Sequence, residues 1–218
     1  STLMRSSAAS DVYKRQEGKI VRSVFVQRKV LELYQDMDSV SYPIQPELLL
    51  QCIPKSCRIL SYQEMAEVTG CTVQDVAVLC KSNSGATHYD PDTNRYLILY
   101  NAEMNAGRIR WTLAHEIGHI YIGHLEVIEG AEIAYNEQRG FYDQFESEAD
   151  YFVWNLLAPL PILREMGIRS ASEIKATYGL SNQAAALQFD RYTKWCRGHV
   201  KTAWENGMLR IFRSKYMA

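Results

Sequence analysis

His115 and His119 stand four residues apart in the stretch Trp111–His124, WTLAHEIGHIYIGH. On an α-helix that interval is one turn, so both imidazoles project from the same face. The pair constrains the fold more than any other feature of the chain. Either the helix is an ordinary amphipathic one with two partly exposed histidines, or a second element converges on them to complete a site.

The chemistry available to such a pair is specific. Two neutral imidazoles one turn apart can hold a single zinc ion at about 2.0–2.1 Å each. Glu116 lies roughly 100° around the helix from His115. That offset makes it an awkward ligand, yet it can reach a water bound beside the metal. Zinc brings the pKa of such a water toward about 7, and a nearby carboxylate can take its proton as it attacks a carbonyl. Gly118 keeps the helix slim where another element would pass. His-Glu-x-x-His on a helix is the arrangement zinc peptidases use.

Two residues compete to be the third ligand. His124 follows Gly123, which is expected to end the helix. In the metzincin pattern the corresponding glycine and histidine fall three and six residues after the second histidine, whereas here they fall four and five after it. On a continued helix His124 would also point about 180° from His115. Glu146 is the favoured alternative, in the segment QFESEADYFVWNLLAPLP. Glu146 and Asp150 are one turn apart and share a face, while Phe145, Ala149 and Phe152 pack elsewhere. Glu146 can complete a two-histidine, one-glutamate site with the fourth position left to water. Asp150 can accept a hydrogen bond from the far nitrogen of a ligand ring and fix its tautomer. Glu148, two residues from each, is expected to point away. The apolar neighbours bury this helix, which makes a merely solvated acidic face costly.

The remaining pattern reads as an α+β chain. A helical period runs over 19–37, with Val21, Val24, Phe25, Leu31 and Leu33 or Tyr34 on apolar faces. Pro46 suits the first turn of a helix PELLLQCI, and Pro54 stops it. CRILSY reads as a strand, residues 61–80 as two short helices around Thr69-Gly70, and the alternation on both sides of DPDTN as a β-hairpin. Asn105 opens the long histidine-bearing helix. After a charged, Gly-containing loop over 126–140, a helix from about Asp143 to Leu157 is closed by Pro159 and Pro161. Two helices capped by Ser170 and Ser181 fill 170–198, the basic end RIFRSKYMA carries no motif, and the last few residues are expected to fray. Strands grouped beside helices without a βαβ alternation point to α+β.

Composition excludes several classes. No stretch approaches the roughly 20 apolar residues of a membrane span. Five cysteines without a Cys-x-x-Cys pair argue for reduced thiols in a cytoplasmic protein and against a disulfide framework or a cysteine zinc site. Residues 1–16 are expected to be a disordered sequencing-adaptor or assembly scar, because SSAASDVYKRQ back-translates into a library adaptor. That segment carries Arg5, Lys14 and Arg15 against Asp11, so setting it aside takes the net charge from −1 to −3. A mildly acidic body is a poor match for nucleic acid. YQEMAEVTGCTVQDVAVL (62–79) mimics a helix-turn-helix, but its second helix holds Asp75 and no arginine. No direct nucleic-acid binding and no membrane association are therefore expected.

RIRWTLAHEIGHIYIGH (108–124) and FESEADYFVWNLLAP (145–159), with YPIQPELL and THYDPDTNRYLILYN, resemble the ImmA/IrrE family of bacterial and phage metallopeptidases. The likeness covers roughly residues 40–195. It implies a compact, thermolysin-like (gluzincin-like) zinc core, with a small sheet beside the active helix and helices around it. It implies His115, His119 and Glu146 as zinc ligands, Glu116 as general base and Asp150 as the partner of a ligand ring. Residues 17–165 would form the metallopeptidase domain and 166–218 a C-terminal helical extension. Val153, Trp154 and Asn155, where small residues are common, and Gln188, where an arginine is common, depart from the family and bear on substrate choice. The substrate implied is an XRE-type helix-turn-helix repressor on a mobile element, cleaved to relieve repression. The alternative is a metal-containing module that sequesters the repressor uncut. His88 on the hairpin is a candidate to line the cleft, and Tyr142 or Tyr151 are candidate oxyanion donors.

Overall fold

A computed structural model describes residues 3–5, 21–53, 56–125, 135–198 and 201–216. Most of residues 1–16, the helix start before Val21, Pro54 and residues 126–134 of the expected loop lie outside them. The chain is α+β and mostly helical. Its strands are β1 (Leu3–Arg5), β2 (Ser56–Ser61), β3 (Gly85–Asp90) and β4 (Arg95–Tyr100). The helices are α1 (Ser23–Asp36), α2 (Tyr62–Thr69), α3 (Val73–Cys80), α4 (Ala106–Ile122), α5 (Tyr135–Leu157), α6 (Leu160–Glu165), α7 (Ala171–Tyr178), α8 (Asn182–Arg197) and α9 (Ala203–Lys215). Pro46–Cys52 is a 3₁₀ helix where a helix is expected. Within the described residues no helix is long and apolar enough to cross a membrane.

The sheet runs β1-β3-β4-β2. β3 and β4 form the expected antiparallel hairpin, in which Asp90 accepts from Thr93 Oγ1 at 2.6 Å and closes the turn. β2 lies parallel to β4. Leu3–Arg5 pairs antiparallel with β3, so three residues of the segment expected to be disordered are strand.

Strand alternation divides the interior in two. Ala86 and Leu99 face α2 and α3, where Tyr62, Ala66, Val76 and Cys80 make a small cluster. Tyr96 and Ile98 face the other way, into the main core with α4. The helix-turn-helix look-alike is thus a capped hairpin of helices covering one face of the sheet. Ser61–Glu64 and Thr72–Asp75 form its two capping boxes.

In the main core, α4 contributes Leu113, Ala114 and Ile117 and α5 contributes Phe152, Val153 and Leu156. Val26, Val30, Leu33 and Tyr34 of α1 join them, whereas Val24, expected on an apolar face, is 78% exposed. Near the C-terminus α9 is capped by Thr202 and buries Met208, Ile211 and Phe212 in the same core, and Met217 and Ala218 lie outside the described residues. α5 begins at Tyr135, earlier than Asp143, so part of the expected loop is helix. Pro161 sits in the first turn of α6, where its missing N–H is no loss, and Pro159 is that helix's N-cap.

The α4–α5 crossing is set by Gly118. A Cβ there would sit 3.0 Å from Cδ1 of Phe152, which is itself fully buried. Gly118→Ala gains about 1 kcal/mol of helix propensity but forces a ring in a closed core to move, at about 1–3 kcal/mol. A net loss is expected, read as a lower urea midpoint at constant slope; a raised midpoint would mean that Phe152 gives way.

Candidate metal centre

Asn105 caps α4 by accepting from the Arg108 N–H at 3.0 Å, and Gly123, at φ +83°, ends it in the left-handed conformation glycine favours. Between these ends His115, Glu116 and His119 are all fully buried. Their face meets α5 at Glu146 and Asp150. Nε2 of His115 lies 3.0 Å from Nε2 of His119. Glu146 Oε2 is 3.3 Å from the first of these nitrogens and Oε1 is 3.5 Å from the second. One ligand atom from each of His115, His119 and Glu146 falls within 4.8 Å of the other two. Both Glu146 oxygens are buried and accept no hydrogen bond. Two ring nitrogens and an unpartnered carboxylate facing one point are a donor set for a cation.

The outer nitrogens of the two rings decide what the inner ones present. His115 Nδ1 lies 3.1 Å from Asp150 Oδ1. A carboxylate can only accept, so Nδ1 carries the proton and Nε2 turns its lone pair inward. His119 reaches a carboxylate through a second imidazole. Its Nδ1 is 2.9 Å from Nδ1 of His124, and His124 Nε2 is 3.1 Å from Oε2 of Glu148. Glu148 must accept from His124 Nε2–H, which leaves His124 Nδ1 to accept from His119 Nδ1–H. His119 Nε2 then also faces the cluster unprotonated. Glu148 is held in turn by Arg22, whose Nε and Nη2 donate at 2.9 and 2.7 Å and whose backbone N–H donates at 3.1 Å. Gln144 Nε2 adds a bond at 2.8 Å.

The electrostatics agree with these assignments at His119 and His124, while His115 takes a neutral ring only when a cation displaces its second proton. Burial holds His119 well below the ordinary histidine value, with His115 and His124 adding to it. Burial also lowers His124, against the pull of Glu148. At His115 burial works downward, but the bond to Asp150 and the closeness of the Glu146 carboxylate outweigh it and hold the ring well above its ordinary value. The position favours positive charge. Burial pushes Glu116 up to about 7, while His115 and the Thr87 hydroxyl restrain the rise. Thr87 Oγ1 donates to Glu116 Oε2 at 2.7 Å, and the other carboxylate oxygen is buried without a partner.

His115, Glu116, His119, Glu146 and Asp150 are therefore brought together as expected. His124 is not among the converging donor atoms; it supports a ligand ring. A continued helix would point His124 away, but the turn at Gly123 brings its ring against His119. Glu148 does not point away into solvent but is fully buried on the α1 side of α5. His88 alternates with Thr87 and so lies on the sheet face turned from Glu116, beside Asp90. Tyr151 accepts from Gln27 Nε2 at 2.9 Å, on α1, and the side chain of Tyr142 lies outside the described residues. Thr87, Arg22, His124 and Glu148 were missed. Thr87 was recoverable from strand alternation, and His124 from taking its own helix stop seriously.

A family model described as the IrrE N-terminal-like domain, peptidase M78, matches residues 71–189. No curated protein matches the sequence.

Glu148 gives the centre an acid-labile support. Burial works against its charge, but bonds from His124, Arg22 and Gln144 hold its pKa far below the usual carboxylate range. A depressed folded-state pKa contributes stability above the unfolded value of about 4.3 and loses it as pH falls below that. The Arg22 side chain is 46% exposed, so solvent screening discounts the ion pair and the bonds to the buried carboxylate carry most of the effect. Glu148→Gln should lower stability at pH 7 by about 1–3 kcal/mol and flatten its decline between pH 5 and 3, measured by urea denaturation with chelator present.

Proposed function

The chain belongs to the IrrE N-terminal-like family of metallopeptidases, and on that premise we propose that it is a zinc-dependent endopeptidase whose substrate is a helix-turn-helix repressor. The observation that carries the hydrolytic reading is the convergence of two inward-facing Nε2 lone pairs and the unpartnered Glu146 carboxylate beside a buried Glu116. Two histidines and a glutamate suit zinc and leave a position open. Held by His115, His119 and Glu146, zinc would supply Lewis-acid polarisation of the scissile carbonyl and would acidify a water.

The chain's own residues supply the rest. Glu116, near 7, is poised to take a proton at neutral pH and to return it to the leaving amine. Thr87 fixes one of its oxygens, so Oε1 is the atom free to accept the proton. Asp150 and the His124–Glu148 pair keep both ligand rings in the required tautomer. An extended substrate segment is expected to lie along β3, whose outer edge pairs with Leu3–Arg5 in this structure. The sheet lying against α4, with α5 crossing it, supports reading the core as thermolysin-like. Family membership supports the repressor as substrate.

Glu116→Gln should retain stoichiometric zinc by elemental analysis and slow repressor cleavage by about 10²–10⁴-fold. Full derepression by that variant would instead assign the activity to sequestration. Thr87→Val removes a bond that lowers the Glu116 pKa. The acid limb of the kcat/KM profile should therefore move upward from about 7, and an unmoved limb would exclude Glu116 as the group that limb reports.

A further inference from the structure

Two neutral imidazoles in contact through Nδ1 can be ordered in either direction. With the proton on His119 Nδ1, Nε2 of that ring offers its lone pair to the Glu146 side. With the proton on His124 Nδ1, His119 Nε2 carries the hydrogen and is closed to a cation. The choice is made at Glu148, whose two oxygens are loaded unequally. Oε1 accepts from the Arg22 backbone N–H, from Arg22 Nε and from Gln144 Nε2, at 3.1, 2.9 and 2.8 Å. Oε2 accepts from Arg22 Nη2 at 2.7 Å and faces His124 Nε2 at 3.1 Å. Arg22 thus aims one oxygen of a carboxylate, which can only accept, at the second ring.

Aromatic rings clamp both ends of this relay. The Arg22 guanidinium lies 4.7 Å over the Phe25 ring, and the His124 ring stacks on Phe145 at 4.3 Å with 15° between the planes. Arg22 is also where α1 starts. It occupies the N-cap position, and its own side chain makes no capping bond. The carboxylate that takes its backbone N–H comes from α5 and sits at the positive end of the helix dipole. One fully buried group, Glu148, therefore both terminates α1 and orients the His124–His119 pair. His115, by contrast, is oriented by Asp150 of α5 with no third element between them. Arg22 precedes the residues 71–189 matched by the family model, so the brace is carried by a segment outside that match.

We infer that Arg22 is a positioning residue for the metal centre, and that seating of the N-terminal helix and occupation of the site by a cation are coupled through Glu148, His124 and His119. Seating α1 holds Glu148 in place and so keeps His119 in the tautomer that can bind a metal. With a cation on His119 Nε2, the Nδ1–H of that ring becomes a stronger donor, which tightens the relay and holds α1 in return. Such a coupling is reciprocal, so each event must be visible in the other. The inference rests on His115, His119 and Glu146 being metal ligands and is independent of peptide hydrolysis.

Histidine-ring NMR of the zinc-free full chain should show N–H on His119 Nδ1 and on His124 Nε2. Glu148→Gln keeps the shape but introduces an amide NH2. Placed at Oε1, that group meets the Arg22 N–H and Nε–H, which cannot yield; placed at Oε2, it meets only Nη2 and a ring that can change tautomer. The variant should therefore reverse both rings and weaken zinc binding about 10–100-fold, measured by competition with a chromophoric chelator. Glu148→Asp fits less well but can still only accept, so it should keep the wild-type tautomers. Arg22→Met should weaken zinc by a similar factor. Zinc should slow amide hydrogen exchange in the first two turns of α1 in the wild type and not in Arg22→Met. Opposite tautomers in the wild type, an unreversed Glu148→Gln, or zinc affinity and α1 exchange indifferent to each other would each overturn the inference; the first needs no variant to fold. A wild-type chain that takes up no zinc would sink the metal reading and the inference with it, an outcome distinct from zinc bound equally by all variants.

Discussion

Complete burial of two imidazoles one turn apart is the constraint on which the rest of the architecture depends. His115 and His119 together bring four ring nitrogens into the interior, where an unpartnered polar atom costs about 1–3 kcal/mol. The fold answers by surrounding them with acceptors. Asp150 takes one outer nitrogen, the His124–Glu148 pair takes the other, and the two inner nitrogens are turned toward Glu146. Around the two rings the atoms left unpartnered are the Glu146 oxygens and Glu116 Oε1. These acceptors stand open on one side of the histidine pair, where chemistry is possible.

Such an arrangement requires two helices to approach more closely than ordinary side chains allow, and several distant segments to hold their ends. Gly118 against Phe152 provides the approach. Thr87 reaches Glu116 from the sheet, while Arg22, at the start of α1, reaches Glu148 from the opposite side. The centre is therefore braced by the sheet, by the N-terminal helix and by the turn after α4 at once.

Much of this was legible in the residue pattern. Helix periodicity with the Asn105 and Gly123 caps delimited α4, and the turn chemistry of DPDTN marked the hairpin. One-turn spacings put His115 with His119 and Glu146 with Asp150 on common faces. Periodicity misjudged the face of α1, because Val24 and Val26 are equally apolar and only packing against α5 and α9 chooses between them. His88 is a cleft candidate from its place on the hairpin alone, whereas strand parity turns Thr87, its neighbour, to the site.

Local spacing alone settled which side chains share a face, because helix and strand periods are properties of the backbone and hold wherever the element packs. It could not decide what that face meets. That Glu148 supports a histidine through His124, and that Arg22 closes the chain from 126 residues away, are outcomes of packing. They depend on which surfaces exclude water together, and no interval along the chain encodes that.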